Sequence, residues 1–311
     1  MNGVRLTHTS YASFRRRMQL SEARLFVFVE GWTERYFYDG ICNSLLSPRG
    51  IKYQLCPAHE ISGQGGGKQA LLVFYEYLDA SRSLIDEFKG KRTGAIFFLD
   101  KDIDDLLNRC KSSEHIVYTE YYEVENYVVA YGDLVESTAA AAALDRESVR
   151  RGLAPGSDSW RRDAAANWKE WIKLCIFTQT RKMNHLCNYK VCSRINPAPY
   201  APIDRTLHAN WLADLERHSS LTSIGFKRVL RRISRTVERI YDENNHDLVF
   251  KGKWYFEFLA ESVRRIAGSR PYNSNGLEDR LLACLQQSLN FQDTWTGRFK
   301  DGLERVVTQL R

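Results

Sequence analysis

The stretch Leu25–Tyr38, LFVFVEGWTERYFY, decides how this chain is read. Its first five residues, Leu25 to Val29, are all apolar and have the β-branched and aromatic make-up of a strand. The run stops at Glu30; Gly31 follows, and a second carboxylate, Glu34, stands four residues after the first. A strand that is apolar at every position has both faces covered, as in a parallel sheet flanked by helices. The acids at its end then lie outside the core, at the rim where such sheets bind ligands.

The same pattern continues on either side. Thr33–Leu46 predicts a helix with Thr33 as N-cap, and Ile51–Pro57 a second strand. After the glycine-rich SGQGGGKQ, Ser62–Gln69, a helix is expected from Gln69 to Phe88. Ala95–Leu99 reads as a third strand and HIVYT, His115–Thr119, as a fourth, before a helix opening near Glu125. Continuous apolar strands alternating with helices imply an α/β domain with a parallel sheet, here residues 24–136, behind an N-terminal extension of residues 1–23. From residue 137 to residue 311 helical periods dominate, with helices expected around Trp160–Lys182, Ser223–Asp242, Lys253–Ala267 and Leu277–Leu289. This mostly helical region is expected to supply substrate or partner contacts.

The bulk properties narrow the class. With 311 residues, 43% hydrophobic and 27% charged, the chain has the composition of a folded globular protein with an ample core. No apolar run approaches the roughly 20 residues that span a bilayer, so no membrane partner is expected. The N-terminal stretch carries arginines without a following apolar segment, which is not the pattern of a secretory signal. Seven cysteines scattered without a framework suit a reducing cytoplasm. A net charge of +7 and a pI near 9.0 suit a polyanionic partner.

The carboxylates carry the chemistry. Asp100 ends the third strand as Glu30 ends the first, and LDKDIDD places Asp102, Asp104 and Asp105 close behind it. Glu30, Asp100 and Asp102 converge if the two strands are neighbours. Crowded carboxylates repel one another unless a cation sits among them, and hard oxygen ligands suit Mg²⁺ or Mn²⁺. The plainer alternative is that Glu30 and Asp100 cap the helices that follow, where negative charge suits the helix dipole.

FVEGWTERYF followed by FFLDKDID resembles the TOPRIM domain of topoisomerases, primases and OLD-family nucleases. YEVENYVV, Tyr122–Val129, and FKGKWYFEFL, Phe250–Leu259, further resemble the stand-alone TOPRIM-like family DUF4435, which includes effector nucleases of PARIS-type anti-phage systems. The resemblance implies a Mg²⁺-dependent endonuclease of the prokaryotic cytoplasm that cuts RNA, such as transfer RNA, or DNA. It implies Glu30 as the glutamate of the motif, Asp100 and Asp102 as its D-x-D, and Glu34 as ligand or support. Glu125, in the ENY segment, is implied as a further metal or water ligand, with helix capping as its plainer role. Lys253, with Lys251 as runner-up, is the candidate for the late lysine that stabilises charge at the scissile phosphate in OLD-like nucleases, with a solvated lysine before an amphipathic helix as its plainer role. Control by a separate ABC-class, SMC-like ATPase partner and a homodimer in the active state are also implied.

Other motifs weigh less. GQGGGKQ lacks the spacing and the Ser/Thr of a nucleotide phosphate loop, which leaves a turn into a helix or a loop whose Lys68 touches substrate backbone. His185, Cys187 and Cys192 lie close in sequence but lack the partners that would complete a zinc site. Arg228, Arg231, Arg232, Arg235 and Arg239 recur at helical spacing on one face, a pattern suited to nucleic-acid phosphates, with Arg228, Arg232, Arg235 and Arg239 the expected contacts; docking on an acidic protein partner and an ordinary solvated helix face are the alternatives. Two rival functions remain: a HAD-like phosphatase using Asp100 and Asp102, whose motif FFLDKDID also resembles, and a metal-dependent binding subunit without catalysis.

Overall fold

The computed structural model describes residues 10–62, 66–153 and 157–311. In chain order the elements are α1 (Tyr11–Leu20), β1 (Leu25–Val29), α2 (Arg35–Leu46), β2 (Tyr53–Pro57), α3 (His59–Ser62), α4 (Lys68–Ala80), β3 (Ile85–Phe88), β4 (Lys91–Leu99) and β5 (Ile116–Tyr118). Helices follow: α5 (Val124–Tyr131), α6 (Leu134–Ala142), α7 (Arg146–Gly152), α8 (Ser157–Asn167), α9 (Lys169–Thr180), α10 (Arg205–His218), α11 (Ser223–Asp242), α12 (Trp254–Ala267), α13 (Leu277–Gln287) and α14 (Gly297–Gln309). The fold is α/β.

These elements form two compact units. One holds the chain up to Lys101, Cys110–Thr119 and Asn290–Arg311; the other holds Asp102–Arg109 and Glu120–Leu289. The division is therefore not a single boundary at residue 136. The last helix, expected with the helical region, belongs with the sheet.

In the sheet unit the strand order is β2-β1-β4, with β3 and β5 both paired to β4. β1 runs parallel to β2 and to β4, with Leu25 opposite Tyr53 and Gly94, and β5 runs parallel to β4 with Leu99 opposite Tyr118. All five residues of β1 are buried, as a strand covered on both faces requires. Alternation sorts them. On one face Phe28 stacks on Phe97 at 4.7 Å and meets Phe14 of α1 and Phe74 of α4. On the other, Phe98 stacks on Tyr38 of α2 at 4.7 Å and takes Phe299 of α14 edge-on. Burial of each such ring contributes about 2 kcal/mol. Gly302 lets α14 lie against β5, since a Cβ there would sit 2.3 Å from Val117 Cγ2.

Two expectations for this unit are corrected. The helix expected over Gln69–Phe88 ends at Ala80, and Ile85–Phe88 is a strand paired antiparallel to the start of β4, with Ile85 opposite Gly94, so the sheet is mixed. The helix after β1 begins at Arg35 rather than at a Thr33 cap; Glu34 takes the cap position without a side-chain capping bond. The N-terminal extension also contributes to the core, because α1 buries Phe14 and Met18.

The helical unit centres on α9, in which Trp171 through Thr178 are all buried. The helix expected over Trp160–Lys182 is broken at Trp168 into α8 and α9. Trp168, Phe250, Trp254 and Phe258 pack as an aromatic cluster with ring separations of 4.8–6.4 Å. Beside it Asp247, 5% exposed, accepts hydrogen bonds from Asn126 Nδ2 and Tyr255 Oη and pairs with Arg161. Each partner satisfies a charge that would otherwise be costly to bury.

Candidate functional site

In the sheet unit β1 has β2 on one side, reached through α2, and β4 on the other. The order reverses between β1 and β4. Crevices at the carboxyl ends of strands on either side of such a reversal bind ligands in open α/β sheets. Glu30 follows β1 and Asp100 follows β4 there. The backbone N–H of Asp100 donates to Glu30 Oε1 at 2.9 Å, and the backbone N–H of Glu30 donates to Glu34 Oε2 at 3.1 Å. Asp100 and Glu34 are each only 7% exposed. Neither Glu30 nor Asp100 sits at a helix N-terminus: α2 starts five residues after Glu30, and the segment after Asp100 is a turn. The capping alternative is excluded for both.

The turn after Asp100 enters the helical unit at Asp102, whose backbone takes a left-handed φ of 53° while its N–H donates to the Tyr122 carbonyl at 2.7 Å. Asp102, Asp104, Glu123, Tyr189, Lys190 and Lys251 line a cavity of about 380 Å³ in that unit. Lys251 Nζ donates to the Tyr189 carbonyl at 3.0 Å.

Next to this cavity α5 begins. Its cap is Glu123 rather than Glu125: Glu123 and Asn126 form a reciprocal capping box, with the Glu123 N–H donating to Asn126 Oδ1 at 3.1 Å. Asn126 Nδ2 donates in turn to Asp247 Oδ1 and to the Phe250 carbonyl. This fixes α5 to the Lys251–Lys253 segment. Gly252 is demanded by the close approach, since a Cβ would lie 2.4 Å from the Asn126 backbone nitrogen. The Lys253 N–H donates to Glu123 Oε1 at 2.7 Å, and Lys253 Nζ stands 3.4 Å from Glu125 Oε1. Glu125 is 2% exposed, and its Oε2 has no hydrogen-bond partner. Burial, and then the charge of Glu125, push the Glu123 carboxyl up to about 8, against the opposing pull of Lys253 and Lys251. The result is a buried acid pair, one member of which holds a proton near neutral pH, with two lysines beside it.

The remaining expected contacts are distributed. Lys68 is the first residue of α4 and is partly buried, while residues 63–65 of the glycine-rich loop lie outside the described residues. Arg228, Arg231, Arg232, Arg235 and Arg239 are exposed on α11, together with Lys227, and among the described residues none makes a side-chain hydrogen bond or ion pair. The opposite face of α11 buries Phe226, Ile233, Val237 and Ile240. Thiols near His185 go elsewhere: Cys187 Sγ lies 3.5 Å from Cys175 Sγ, and Cys192 Sγ lies 3.3 Å from Glu257 Oε1.

Two features escaped the sequence. Glu123 was readable as a cap from its position three residues before Asn126, but its burial was not. Trp32, between Glu30 and Glu34, reads as core by residue type, yet it is 54% exposed.

Among the described residues no group of three or more His, Cys, Asp or Glu side chains is arranged to hold a metal ion. The adjoining Glu30 and Asp100 nevertheless suit Mg²⁺, which keeps most of its water and takes one or two carboxylates plus substrate phosphates. They do not suit a metal caged wholly by protein. No family model matches the chain, and no curated protein matches it.

Proposed function

We propose that the chain is a metal-dependent nuclease of the TOPRIM type, hydrolysing phosphodiester bonds in nucleic acid. The observation that carries the reading is the link between Glu30 and Asp100 across the reversal of strand order, 2.9 Å from Asp100 N to Glu30 Oε1. Two acids at that crest are the donor set for Mg²⁺ or Mn²⁺. A bound ion there would supply a water of lowered pKa and neutralise charge on the phosphate. Glu30 and Asp100 hold the donor oxygens in place; Glu34 fixes the backbone of Glu30 from the following turn. Asp102 follows Asp100 by two residues and is the second acid of the D-x-D. Lys251 and Lys253 supply positive charge for a substrate phosphate, and the arginine face of α11 supplies backbone contacts.

The resemblance of the motifs extends this reading to a toxic effector of prokaryotic anti-phage defence, dimeric when active and controlled by a separate ATPase. A phosphatase of the HAD type would use Asp100 as nucleophile and has no part for Glu30.

The test is a substrate panel. Purified protein, alone and with its ATPase partner, is incubated with total RNA, plasmid DNA and p-nitrophenyl phosphate, with Mg²⁺ or with chelator. Cleavage of nucleic acid that needs Mg²⁺ and is abolished in Glu30→Gln is expected. Hydrolysis of the phosphomonoester alone, retained in Glu30→Gln, would restore the phosphatase. Metal binding without any hydrolysis would restore the binding subunit.

A further inference from the structure

We infer that Trp32 is a stacking platform for one unpaired nucleobase beside the Glu30–Asp100 crest; the inference rests on the nuclease reading and names the form of its substrate. Trp32 is the middle of the three residues between two acids whose side chains are engaged with backbone N–H groups, Glu34 with Glu30 and Glu30 with Asp100. Its position relative to the crest is thereby held by the fold. Yet Trp32 is 54% exposed, although tryptophan is among the residues that gain most from burial. Tyr36, one turn along, is 48% exposed.

The neighbours of the indole give the patch its chemistry. The Arg35 guanidinium carbon lies 5.2 Å from the ring centroid, and the His59 ring lies 5.0 Å away at 33°. Arg35 is itself exposed, so its charge is presented with the ring rather than buried under it. An exposed aromatic surface with a guanidinium beside it is the arrangement that holds single-stranded nucleic acid: the base stacks, and the cation meets the phosphate or the base face. An apolar peptide would not draw on the cation. A net charge of +7 favours the same polyanionic occupant. The base must be unpaired because, within a duplex, both of its faces are covered by neighbouring pairs. Stacking is tolerant of sequence, so the platform selects an accessible base rather than a particular one.

The experiment uses the full-length protein in chelator, so that binding is read without cleavage. Labelled 12-nucleotide oligo(U) and oligo(dT), and a blunt duplex of mixed sequence, are titrated into wild type, Trp32→Ala and Trp32→Phe. Thermal melting confirms folding, which the half-exposed indole is not expected to influence. Trp32→Ala should weaken single-strand binding about tenfold and leave duplex binding unchanged, while Trp32→Phe, which keeps an aromatic face, should stay within about twofold of wild type. A larger loss for oligo(U) than for oligo(dT) supports a ribonucleotide at the platform, and equal losses a base of either sugar. Unchanged single-strand affinity in Trp32→Ala, with Mg²⁺-dependent cleavage intact in a parallel assay, overturns the platform and leaves the nuclease standing. No binding of any oligonucleotide and no cleavage overturns both.

Discussion

Single residues in this chain change meaning between sequence and fold, and Glu123 is the sharpest instance. It reads as one acid among several in YEVEN, yet it is the buried cap of α5 and its carboxyl is pushed up to about 8. The sign of its pH effect follows from the ordinary value of 4.5. Between these two values the folded chain holds a proton that the unfolded chain has released, so this contribution to stability is full at low pH and declines as pH rises through about 8. Glu123→Gln keeps an acceptor for the Lys253 N–H and cannot ionise. Urea unfolding should therefore show wild type losing stability relative to Glu123→Gln as pH rises from about 5 to about 8. Parallel pH profiles would contradict the buried, protonated acid. Gly252 is a second case. Its substitution by Ala forces a Cβ against the Asn126 backbone, which should cost about 1–3 kcal/mol in the same assay and loosen the Lys253–Glu123 bond.

Among elements, those with a strong local signature were legible and those defined by distant partners were not. β1 and the second half of β4 read directly from five-residue apolar runs, because strands covered on both faces need no polar alternation. β3 did not. Ile85–Phe88 carries two acids and is half-buried at the edge of the sheet, and its apolar ends continue the period of the preceding helix. α11 was legible almost to the residue, Ser223–Asp242, since its charge and its apolar face separate cleanly. Replacing Arg228, Arg232 and Arg235 together by Gln removes three exposed charges and leaves Phe226, Ile233, Val237 and Ile240 in place, so the melting temperature should hold. Nucleic-acid affinity should fall, and the slope of log K against log salt should flatten by about one for each phosphate no longer neutralised. If the stripe meets an acidic protein instead, oligonucleotide affinity will be unchanged, and any acidic protein that co-purifies with wild type will be lost.

Across the whole chain, composition indicated a folded basic protein, and among the described residues no helix is long and apolar enough to cross a membrane. The linear division into domains was not legible. Val306 of α14 and Leu310 just after it cover Gly94, more than two hundred positions earlier in the chain, and no local pattern announces such a pairing. The acids at the strand ends were legible because a carboxylate after a continuous apolar strand has nowhere to go but the rim. Their joint role is what a kinetic measurement decides. Single-turnover cleavage by Glu30→Gln, Asp100→Asn and the double variant, each able to keep the Asp100 N–H bonded to an Oε1 acceptor, compares loss of charge at constant shape. If both acids serve one metal centre, each single variant is slower by about 100-fold or more, and the double variant is no slower than the worse single one. Losses that multiply in the double variant, or cleavage at the wild-type rate by either single variant, would contradict that account.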